Sequence, residues 1–401
     1  MQIINREIEG KSAGYWALLG GLGALILIGL FAAYNMEHHG HIITGMNNQI
    51  VWGLPHVFAV FLVVAASGAL NVASVGTVFD KKIYKPMAPL SALLAIALLA
   101  GGLVVLMLDL GRADRAIIMA WEVNPASVFS WNVVLYSGFF GFSALYLWTM
   151  MDKTVKGWNK AAGVAAFTWR LVLTTGTGLI FGFLVARQAY GTALLAPKFI
   201  VFSLLYGTAI YVLVLMAAYN WGQRALGDEV LRRLKNMLVI FIAASFYMTL
   251  AYHLTNLYFA KQRDFERFIL QDGGVYTTLF WLGQVVIGYA IPFILLVAPN
   301  TRGNRTALVA ASVMIVLGAL AQMYVTIVGG QAFPLQLFPG YAEKSSFFDG
   351  EIHAYAPSHW EWMLGIGGVA IALAMVVFAV KILRILPESL ADSVADPHAK
   401  K

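Results

Sequence analysis

Residues 88–109 read APLSALLAIALLAGGLVVLMLD, an uncharged and mainly apolar run that ends in an aspartate. A helix rises about 1.5 Å per residue, so roughly 20 such residues cross the hydrocarbon core of a bilayer. The run therefore predicts a membrane-spanning helix that carries a carboxylate at one end. A charge at that depth is costly and suggests a function.

Nine similar runs accompany this one. The chain has 401 residues, of which 60% are hydrophobic and 12% are charged, whereas soluble domains carry about 25% charged residues. These features predict an all-α, polytopic membrane helix bundle with about ten transmembrane helices. The other predicted spans are residues 15–35, 52–79, 127–151, 161–187, 197–219, 236–260, 274–298, 306–328 and 361–383.

The basic residues orient the spans. Eighteen of the 27 lysines and arginines fall in the termini and one set of alternate connections, eight fall in the other set, and Arg170 lies within a span. Positive residues concentrate on the cytoplasmic side, so both termini are predicted to be cytoplasmic. The first run has no evident cleavage site and is interpreted as a retained helix. The polar tail after Arg384 is expected to be mobile.

The composition excludes several chemistries. The chain has no cysteine, which rules out disulfides, thiolate-held iron–sulfur clusters and covalently attached haem within it. No metal centre is expected in this chain. The net charge of +7 follows the alternating topology, so the lipid bilayer is the expected environment and nucleic acid is not an expected partner.

Polar residues gather at the outer ends of four predicted spans. Each has an ordinary explanation as an ion pair, a helix cap or an interhelical bond, and Asp109 is expected to pair with Arg112 at i+3. Their common depth nevertheless favours one shared site. Donors for carbonyl oxygens, groups that move protons and aromatic rings for stacking together suit a quinone. The set comprises His56, Asp109, Arg112, Asn124, Ser127, Trp131, Tyr252 and His253.

A second polar group lies deeper. Arg170 sits in the middle of the fifth span, followed by Thr174, Thr175 and Thr177. It either reaches for the cytoplasmic surface with its long side chain, or forms part of a proton path or pairs with a carboxylate. Further polar residues could extend such a path or serve only as interhelical contacts: Tyr206, Tyr247, Gln284, Tyr289 and Gln322.

The longest outer connection, residues 329–360, is rich in aromatic residues. It contains Phe333, Phe338, Tyr341, Phe347, Phe348, Tyr355 and Trp360 beside Glu343, Asp349 and Glu351. A long connection of this kind serves either as a docking or lid segment or as an interfacial aromatic belt.

Several motifs resemble one family of membrane subunits. Trp52-Gly53 at the start of the second span, Asp109-Leu110-Gly111-Arg112 and Asn124-Pro125-Ala126-Ser127 resemble signatures of the NrfD/polysulfide-reductase family, although Ala113 stands where the family usually has proline. Tyr252-His253-Leu254 and Gly329-Gly330-Gln331 resemble its ten-helix branch, which includes the hydrogenase-2 membrane subunit and the P subunit of the Dsr sulfur-metabolism complex. The latter is the more similar, and the resemblance covers nearly the whole chain.

The resemblance implies a subunit of a redox complex in a prokaryotic cytoplasmic membrane. It would exchange electrons between a quinone (menaquinone or ubiquinone) and a periplasmic ferredoxin-like iron–sulfur subunit, and would not be a complete enzyme alone. In a Dsr-type complex of dissimilatory sulfur metabolism, the other partners would be a cytochrome c, a haem b membrane subunit and a cytoplasmic iron–sulfur subunit. The whole chain, 1–401, forms one domain: an extra first helix 15–35, two four-helix bundles at 52–187 and 197–328, a last helix 361–383 and a cytoplasmic tail 384–401.

By the same resemblance, His56, Asp109 and Asn124 lead the candidates for the quinone site. His56 and Asp109 would handle protons, Arg112 would keep Asp109 ionised, and Asn124 would bond a quinone oxygen. Trp131 would shape the wall of the pocket. Proton movement across the membrane could accompany the redox step.

Alternative functions remain. His56 and His253 have similar predicted depths and could together hold a haem, as in a b-type cytochrome anchor. The group around Arg170 would suit an ion-translocating, transporter-like module, although transporter sites usually lie near the midplane and most polar residues here lie toward one face. A purely structural anchor is a third possibility.

Overall fold

The computed structural model describes residues 4–115, 118, 121–335 and 350–395. Within them are ten helices that are long and apolar enough to span a membrane, which confirms the predicted polytopic helix bundle. They are α1 Ala13–His39, α2 Leu54–Thr77, α3 Lys82–Leu108, α4 Val128–Met151, α5 Lys156–Gly182, α6 Leu195–Trp221, α7 Asp228–Tyr258, α8 Val275–Val297, α9 Arg305–Ala332 and α10 His359–Ile382.

Some helices extend beyond the apolar runs that predict them. Helix α7 begins at Asp228 rather than near residue 236, because Asp228 and Glu229 form an acidic first turn that suits a helix N-terminus. Glu229 also bonds the Arg233 guanidinium at 2.7 Å, one turn later. Hydropathy detects only the apolar part of such a helix, so its polar first turn falls outside the predicted span.

Helix α2 lies at the centre of the molecule, and its residues 57–74 are all buried. It packs against α3 and α6, and also against α9 and α10. Helices α2 to α5 pack as consecutive neighbours, as do α6 to α9, while α1 packs on α10 and α10 packs on α3. The division of the chain into two independent bundles stays a prediction.

The contact between α2 and α6 depends on two glycines. A Cβ atom at Gly68 would stand 1.5 Å from the carbonyl oxygen of Ser203, and one at Gly207 would stand 2.0 Å from the backbone nitrogen of Ala69. Small residues allow membrane helices to approach closely. These glycines therefore hold the two halves of the chain together at the middle of α2.

Both ends of the described chain lie at one end of the bundle. Strand β1, Asn5–Arg6, pairs antiparallel with strand β2, Leu386–Pro387, and Arg224 donates to backbone carbonyls of both segments. The tail expected to be mobile is thus bound as far as Ala395, and residues 396–401 lie outside the description. We call this the terminal end, and the opposite end, where α2 begins and α3 ends, the distal end.

The aromatic connection after α9 is described only in part. Residues 336–349 lie outside the described residues, including Phe338, Tyr341, Glu343, Phe347, Phe348 and Asp349. Phe333 packs against Phe265 and Phe268, with ring centroids 5.8 and 5.5 Å apart. This aromatic residue belongs to the core, while the docking role of the connection stays a prediction.

Candidate functional site: two histidine–carboxylate pairs at the distal end

The structure brings His56 and Asp109 together. His56 lies in the first turn of α2, which Pro55 opens, and Asp109 caps the C-terminal end of α3. Because the two helices are antiparallel neighbours, these positions share one depth. His56 Nδ1 stands 3.7 Å from Asp109 Oδ2, and the Asp109 side chain is only 4% exposed. The separation is that of an ion pair rather than a hydrogen bond.

Asp109 has an unused acceptor. Its second oxygen, Oδ1, is buried and has no hydrogen-bond partner among the described residues. Buried polar atoms are nearly always paired, and the rare exceptions call for a functional explanation. This oxygen can accept a hydrogen bond or a proton from a bound molecule.

The ion pair expected between Asp109 and Arg112 is wrong. The Arg112 guanidinium is exposed and bonds Asp114, with Nε 3.0 Å from Oδ1. Asp114 in turn raises the pKa of Arg112 through this bond. Gly111 turns the chain between Asp109 and Arg112 with a φ of 68°, which ends the helical path and carries Arg112 outward. The ionisable side chain next to Asp109 is therefore His56.

Aromatic side chains form a wall beside the His56–Asp109 pair. The Trp52 indole stacks on the His56 imidazole, with centroids 5.2 Å apart and planes inclined by 8°. Phe129 and Phe181 pack on Trp52, at 6.2 and 5.8 Å. Trp131 lies farther along, 6.2 Å from Phe183, and is 38% exposed. The motif Trp52-Gly53 was part of the resemblance, but its contact with His56 was not foreseen.

Asn124 and Ser127 lie at the start of α4 in local turns. Asn124 Oδ1 accepts from the backbone nitrogen of Ala126 at 3.0 Å, and its own backbone nitrogen donates to Ser130. Ser127 is the N-cap residue of α4, and Trp131 Nε1 donates to the carbonyl of Pro125 at 2.7 Å. These bonds shape the segment itself. Quinone roles for these residues stay predictions.

Gln331 fixes the segment that carries Trp52. Its side-chain oxygen accepts from the backbone nitrogens of Val51 and Trp52, both at 3.1 Å. Its side-chain nitrogen donates to the carbonyls of Trp52 at 3.0 Å and Ile327 at 2.8 Å. Gln331 stands at the end of α9, just after a π-helical turn at Val325–Gly329. A residue from the second half of the chain thus positions the Trp52 wall beside the His56–Asp109 pair.

Two further residues, Arg187 and Tyr355, bond the backbone where the chain leads into α2. Arg187 donates to the carbonyls of Gln331 and Gln49, both at 2.9 Å, and burial lowers its pKa. On the opposite side, the Tyr355 hydroxyl accepts from the backbone nitrogen of Leu54 at 2.6 Å and bonds the fully buried Glu361. Burial, reinforced by Glu361, raises the pKa of Tyr355. The sequence offered no signal for either set of contacts.

A second histidine–carboxylate pair lies in the other half. His253 Nδ1 stands 2.6 Å from Glu266 Oε2, and Asn256 Nδ2 donates to Glu266 Oε1 at 2.7 Å. The Glu266 side chain is fully buried, and the Phe280 ring packs edge-on to His253 at 4.7 Å. Sequence reasoning missed Glu266, because it lies in a polar connection that indicated only a surface loop.

Lys198 completes this group. Its ammonium lies 3.7 Å above the ring centre of Tyr252, and the residue is 3% exposed. A small cavity separates Lys198 from His253 and is also lined by Tyr252, Gln284 and Thr326. We call Lys198, Tyr252, His253, Asn256 and Glu266 the His253 cluster.

The two pairs are separate. From Trp52 the contacts continue to Phe181 at 5.8 Å and from Phe181 to Tyr190 at 5.3 Å, and Tyr190 bonds the carbonyl of Thr326 at the border of the His253 cavity. Each histidine has its own carboxylate partner, His56 with Asp109 and His253 with Glu266. Tyr252 and His253 belong to the His253 cluster, and the haem alternative and a quinone role for these two residues stay predictions.

Arg170 is buried, and two of its three guanidinium nitrogens bond neutral groups, while Nε has no hydrogen-bond partner among the described residues. Its Nη1 donates to the carbonyl of Ser67 at 3.1 Å and its Nη2 to Asn71 Oδ1 at 3.4 Å. The side chain is 3% exposed, so it does not reach for the surface, and no carboxylate pairs with it within the described ranges. A proton path here stays a prediction.

The threonines after Arg170 bond within the helix packing. Thr174 donates to the carbonyl of Arg170 at 2.7 Å or meets Ser67 Oγ at 2.6 Å, and Thr177 donates to the carbonyl of Leu173 at 3.0 Å. Thr175 is half-buried. Such backbone bonds are typical of hydroxyl residues inside a helix.

Comparison with known proteins places these observations in a family. Residues 42–335 match the family described as polysulphide reductase, NrfD. The Hdr-like menaquinol oxidoreductase integral membrane subunit of Archaeoglobus fulgidus is 29% identical over 99% of this chain and 100% of its own length. The menaquinone reductase integral membrane subunit of Nitratidesulfovibrio vulgaris is 20% identical, covering 90% of this chain and 89% of its own.

Proposed function

Because this chain belongs to the polysulphide reductase NrfD family, we propose that it is the quinone-reactive integral membrane subunit of a multi-subunit oxidoreductase. The observation that carries the proposal is the His56–Asp109 pair, with its unpaired Asp109 oxygen beside the Trp52 wall. The names of two relatives refer to menaquinol or menaquinone, so menaquinone is the quinone proposed.

The residues present suit a quinone. A quinone, when bound, supplies the exchange of two electrons with two protons. Asp109 Oδ1 is an acceptor for a hydroxyl proton, and His56 is the neighbouring base that shares the charge. Trp52 offers a flat apolar face, while Phe129 and Trp131 widen that face toward the surface of the bundle. Arg112 is left out of the proton chemistry because it pairs with Asp114.

Electrons must enter or leave through other subunits, since the chain has no cysteine to bind an iron–sulfur cluster. We propose a ferredoxin-like iron–sulfur subunit at the distal end, with that end on the periplasmic side of a prokaryotic cytoplasmic membrane and both termini in the cytoplasm. A cytochrome c, a haem b subunit and a cytoplasmic iron–sulfur subunit of sulfur metabolism are the remaining partners proposed. Mass spectrometry of the complex purified through this chain tests each of them.

The substitution Asp109→Asn tests the quinone role. It keeps the shape of the side chain but removes the base, so quinol-linked turnover should fall about 10²-fold or more. The measurement is turnover of the purified complex with menaquinol and ubiquinol analogues, together with its subunit composition. Asp114→Asn, an exposed change in the same connection, is the matched control and should leave turnover unchanged. Normal turnover in Asp109→Asn would refute the proposed proton role.

Proton movement across the membrane is a separate part of the proposal. Its predicted route is the group of Arg170, Thr174, Thr175 and Thr177 at the middle of α5. Proteoliposomes that contain a pH-sensitive dye and the complex would show acidification or alkalinisation of the lumen during quinol oxidation. A redox reaction with no lumenal pH change beyond the quinone chemistry itself would remove this part and leave the quinone role intact.

A further inference from the structure

The His253 cluster buries ionisable groups that the quinone chemistry does not use. Glu266 is fully buried, Lys198 is 3% exposed, and the His253 side chain is 12% exposed. Burying charges in a membrane protein is costly unless they are paired or have a function. The cluster therefore requires an explanation of its own.

We propose that the His253 cluster is a proton-binding site that is distinct from the quinone pocket and exchanges its proton with the distal end. The ligand is one hydrogen ion. Without it, neutral His253 donates its Nδ1 hydrogen to the Glu266 carboxylate across 2.6 Å; with it, Glu266 is a carboxylic acid that donates to Nδ1, and His253 carries its own hydrogen on Nε2. The hydrogen ion comes from a water molecule and returns to one, with no electron transfer and no other bond made or broken. The proposal does not depend on the identity of the quinone.

The charges around the pair support this assignment. Lys198 faces it from α6, Tyr252 and Asn256 from α7, Gln284 from α8, and Glu266 enters from the connection after α7. Lys198 is the basic side chain that lines the cavity beside His253, and Glu266 is the carboxylate bonded to His253. If both are ionised and His253 is neutral, the cluster has no net charge, and a single added proton changes it to +1.

The cavity gives water access to the pair. It lies between Lys198, His253 and Gln284 and has space on the order of one water molecule. Its polar lining, an ammonium, an imidazole and an amide, supplies the hydrogen-bond partners that a buried water needs. A water molecule in this cavity would lie next to the pair and could carry the exchanged proton.

A chain of hydrogen bonds leads from Gln284 away from the distal end and stops at Gln322. Gln284 Nε2 donates to Thr249 at 3.3 Å and to the Tyr289 hydroxyl at 3.5 Å. Tyr289 then donates to Gln322 Oε1 at 3.1 Å, and Tyr206 donates to the same oxygen from the other side. Since two hydroxyls give their protons to one amide oxygen, neither can pass a proton through it. The chain closes the site toward the terminal end.

Infrared difference spectroscopy of the purified complex in nanodiscs tests the proposal. A pH jump should produce a band from the carbonyl stretch of a buried carboxylic acid in the wild type. Glu266→Gln should remove one component of this band, whereas Asp109→Asn and the exposed control Glu122→Gln should retain that component. A band that is unchanged in Glu266→Gln, or no titrating band in the wild type, would overturn the proposal.

A second variant covers the case in which Glu266→Gln does not assemble. Lys198→Met removes the nearby positive charge, so the proton should bind more tightly and the midpoint of the band should move up by about one pH unit or more. An unmoved midpoint would contradict the assignment.

Sidedness is tested in proteoliposomes with different pH inside and outside. The midpoint should follow the pH at the distal end, and a midpoint that follows the pH at the terminal end would overturn the proposed exchange with the distal end. Quinol turnover measured in the same samples separates this proposal from the quinone role. The Glu266→Gln variant should lose the pH-dependent infrared signal of Glu266 but should still oxidise quinol.

Discussion

The two histidine–carboxylate pairs use the same residue types in opposite ways. In the first pair, His56 and Asp109 stand 3.7 Å apart and one carboxylate oxygen has no partner among the described residues. In the second pair, His253 and Glu266 stand 2.6 Å apart, and Asn256 occupies the other carboxylate oxygen. The carboxylate of the first pair has a free acceptor oxygen, which suits a molecule that binds and dissociates. Both carboxylate oxygens of the second pair are bonded within the protein, which suits a site that binds only a proton.

The difference follows from the neighbours of each pair. His56 lies beside an aromatic wall that is partly open at the surface of the bundle. His253 is enclosed between α7, α8 and the short helix Arg263–Arg267, which delivers Glu266. The same two kinds of side chain can therefore form a site with a free acceptor for a bound molecule or a site whose carboxylate oxygens are both bonded within the protein.

The largest expected effect contrasts the two histidines. His56→Leu should lower quinol turnover by about 10²- to 10⁴-fold, because it removes one of the two groups that move protons at the proposed site. His253→Leu should leave turnover within a few-fold of the wild type. Both variants are compared by turnover per assembled complex, and an equal loss in both would mean that the pairs form one functional unit.

The second prediction contrasts the two carboxylates in stability. Glu266→Ala leaves Lys198 buried without its opposite charge and removes the partners of His253 and Asn256, so it should destabilise the protein by about 3–5 kcal/mol. Asp109→Ala breaks only a longer contact and should cost about 1–2 kcal/mol. Thermal unfolding of the purified complex in one detergent measures both, and the reverse order would contradict the distinction between a carboxylate with a free oxygen and one bonded at both oxygens.

The third prediction concerns the link between the halves. Gln331→Leu removes the bonds that hold the Trp52 backbone, so the Trp52 wall should shift and the KM for quinol should rise about tenfold. Gln331→Glu keeps the acceptor oxygen and should recover part of the affinity. Steady-state kinetics separate KM from kcat, and an unchanged KM in Gln331→Leu would show that the wall does not contribute to binding.

The smallest expected effect comes from the stacked ring itself. Trp52→Phe retains an aromatic face but loses part of the stack on His56, which is worth about 0.5–1.5 kcal/mol. Quinol affinity should therefore fall only a few-fold, while Trp52→Ala should cost more. Quinol titrations of both variants test the order, and equal affinity in Trp52→Ala and the wild type would remove Trp52 from the site.

Much of the fold could be predicted because the bilayer imposes a length on every span. The ten apolar runs correspond to the ten helices found in the described ranges, with differences at their ends such as the polar first turn of α7. The common depth of His56 and Asp109 could be predicted too, since their positions count from opposite ends of neighbouring antiparallel helices. The orientation of the bundle in the membrane stays a prediction.

The site was predicted less completely. Arg112 has the sequence spacing of a partner for Asp109, but the turn at Gly111 carries it away to Asp114. Gln331 stands 279 positions from Trp52, Glu266 stands 13 positions from His253, and no periodic pattern marks either residue. Spacing along one helix predicts local pairs, whereas these contacts join separate segments.

The amino-acid sequence by itself determined the membrane environment, the number of spans and the depth of each polar group, because these depend on hydrophobic length and local composition. Only the tertiary structure decided which polar groups at one depth meet. Side chains at equal depth can face any direction around their helices, so packing alone joined His56 to Asp109 and placed His253 with Glu266 and Lys198.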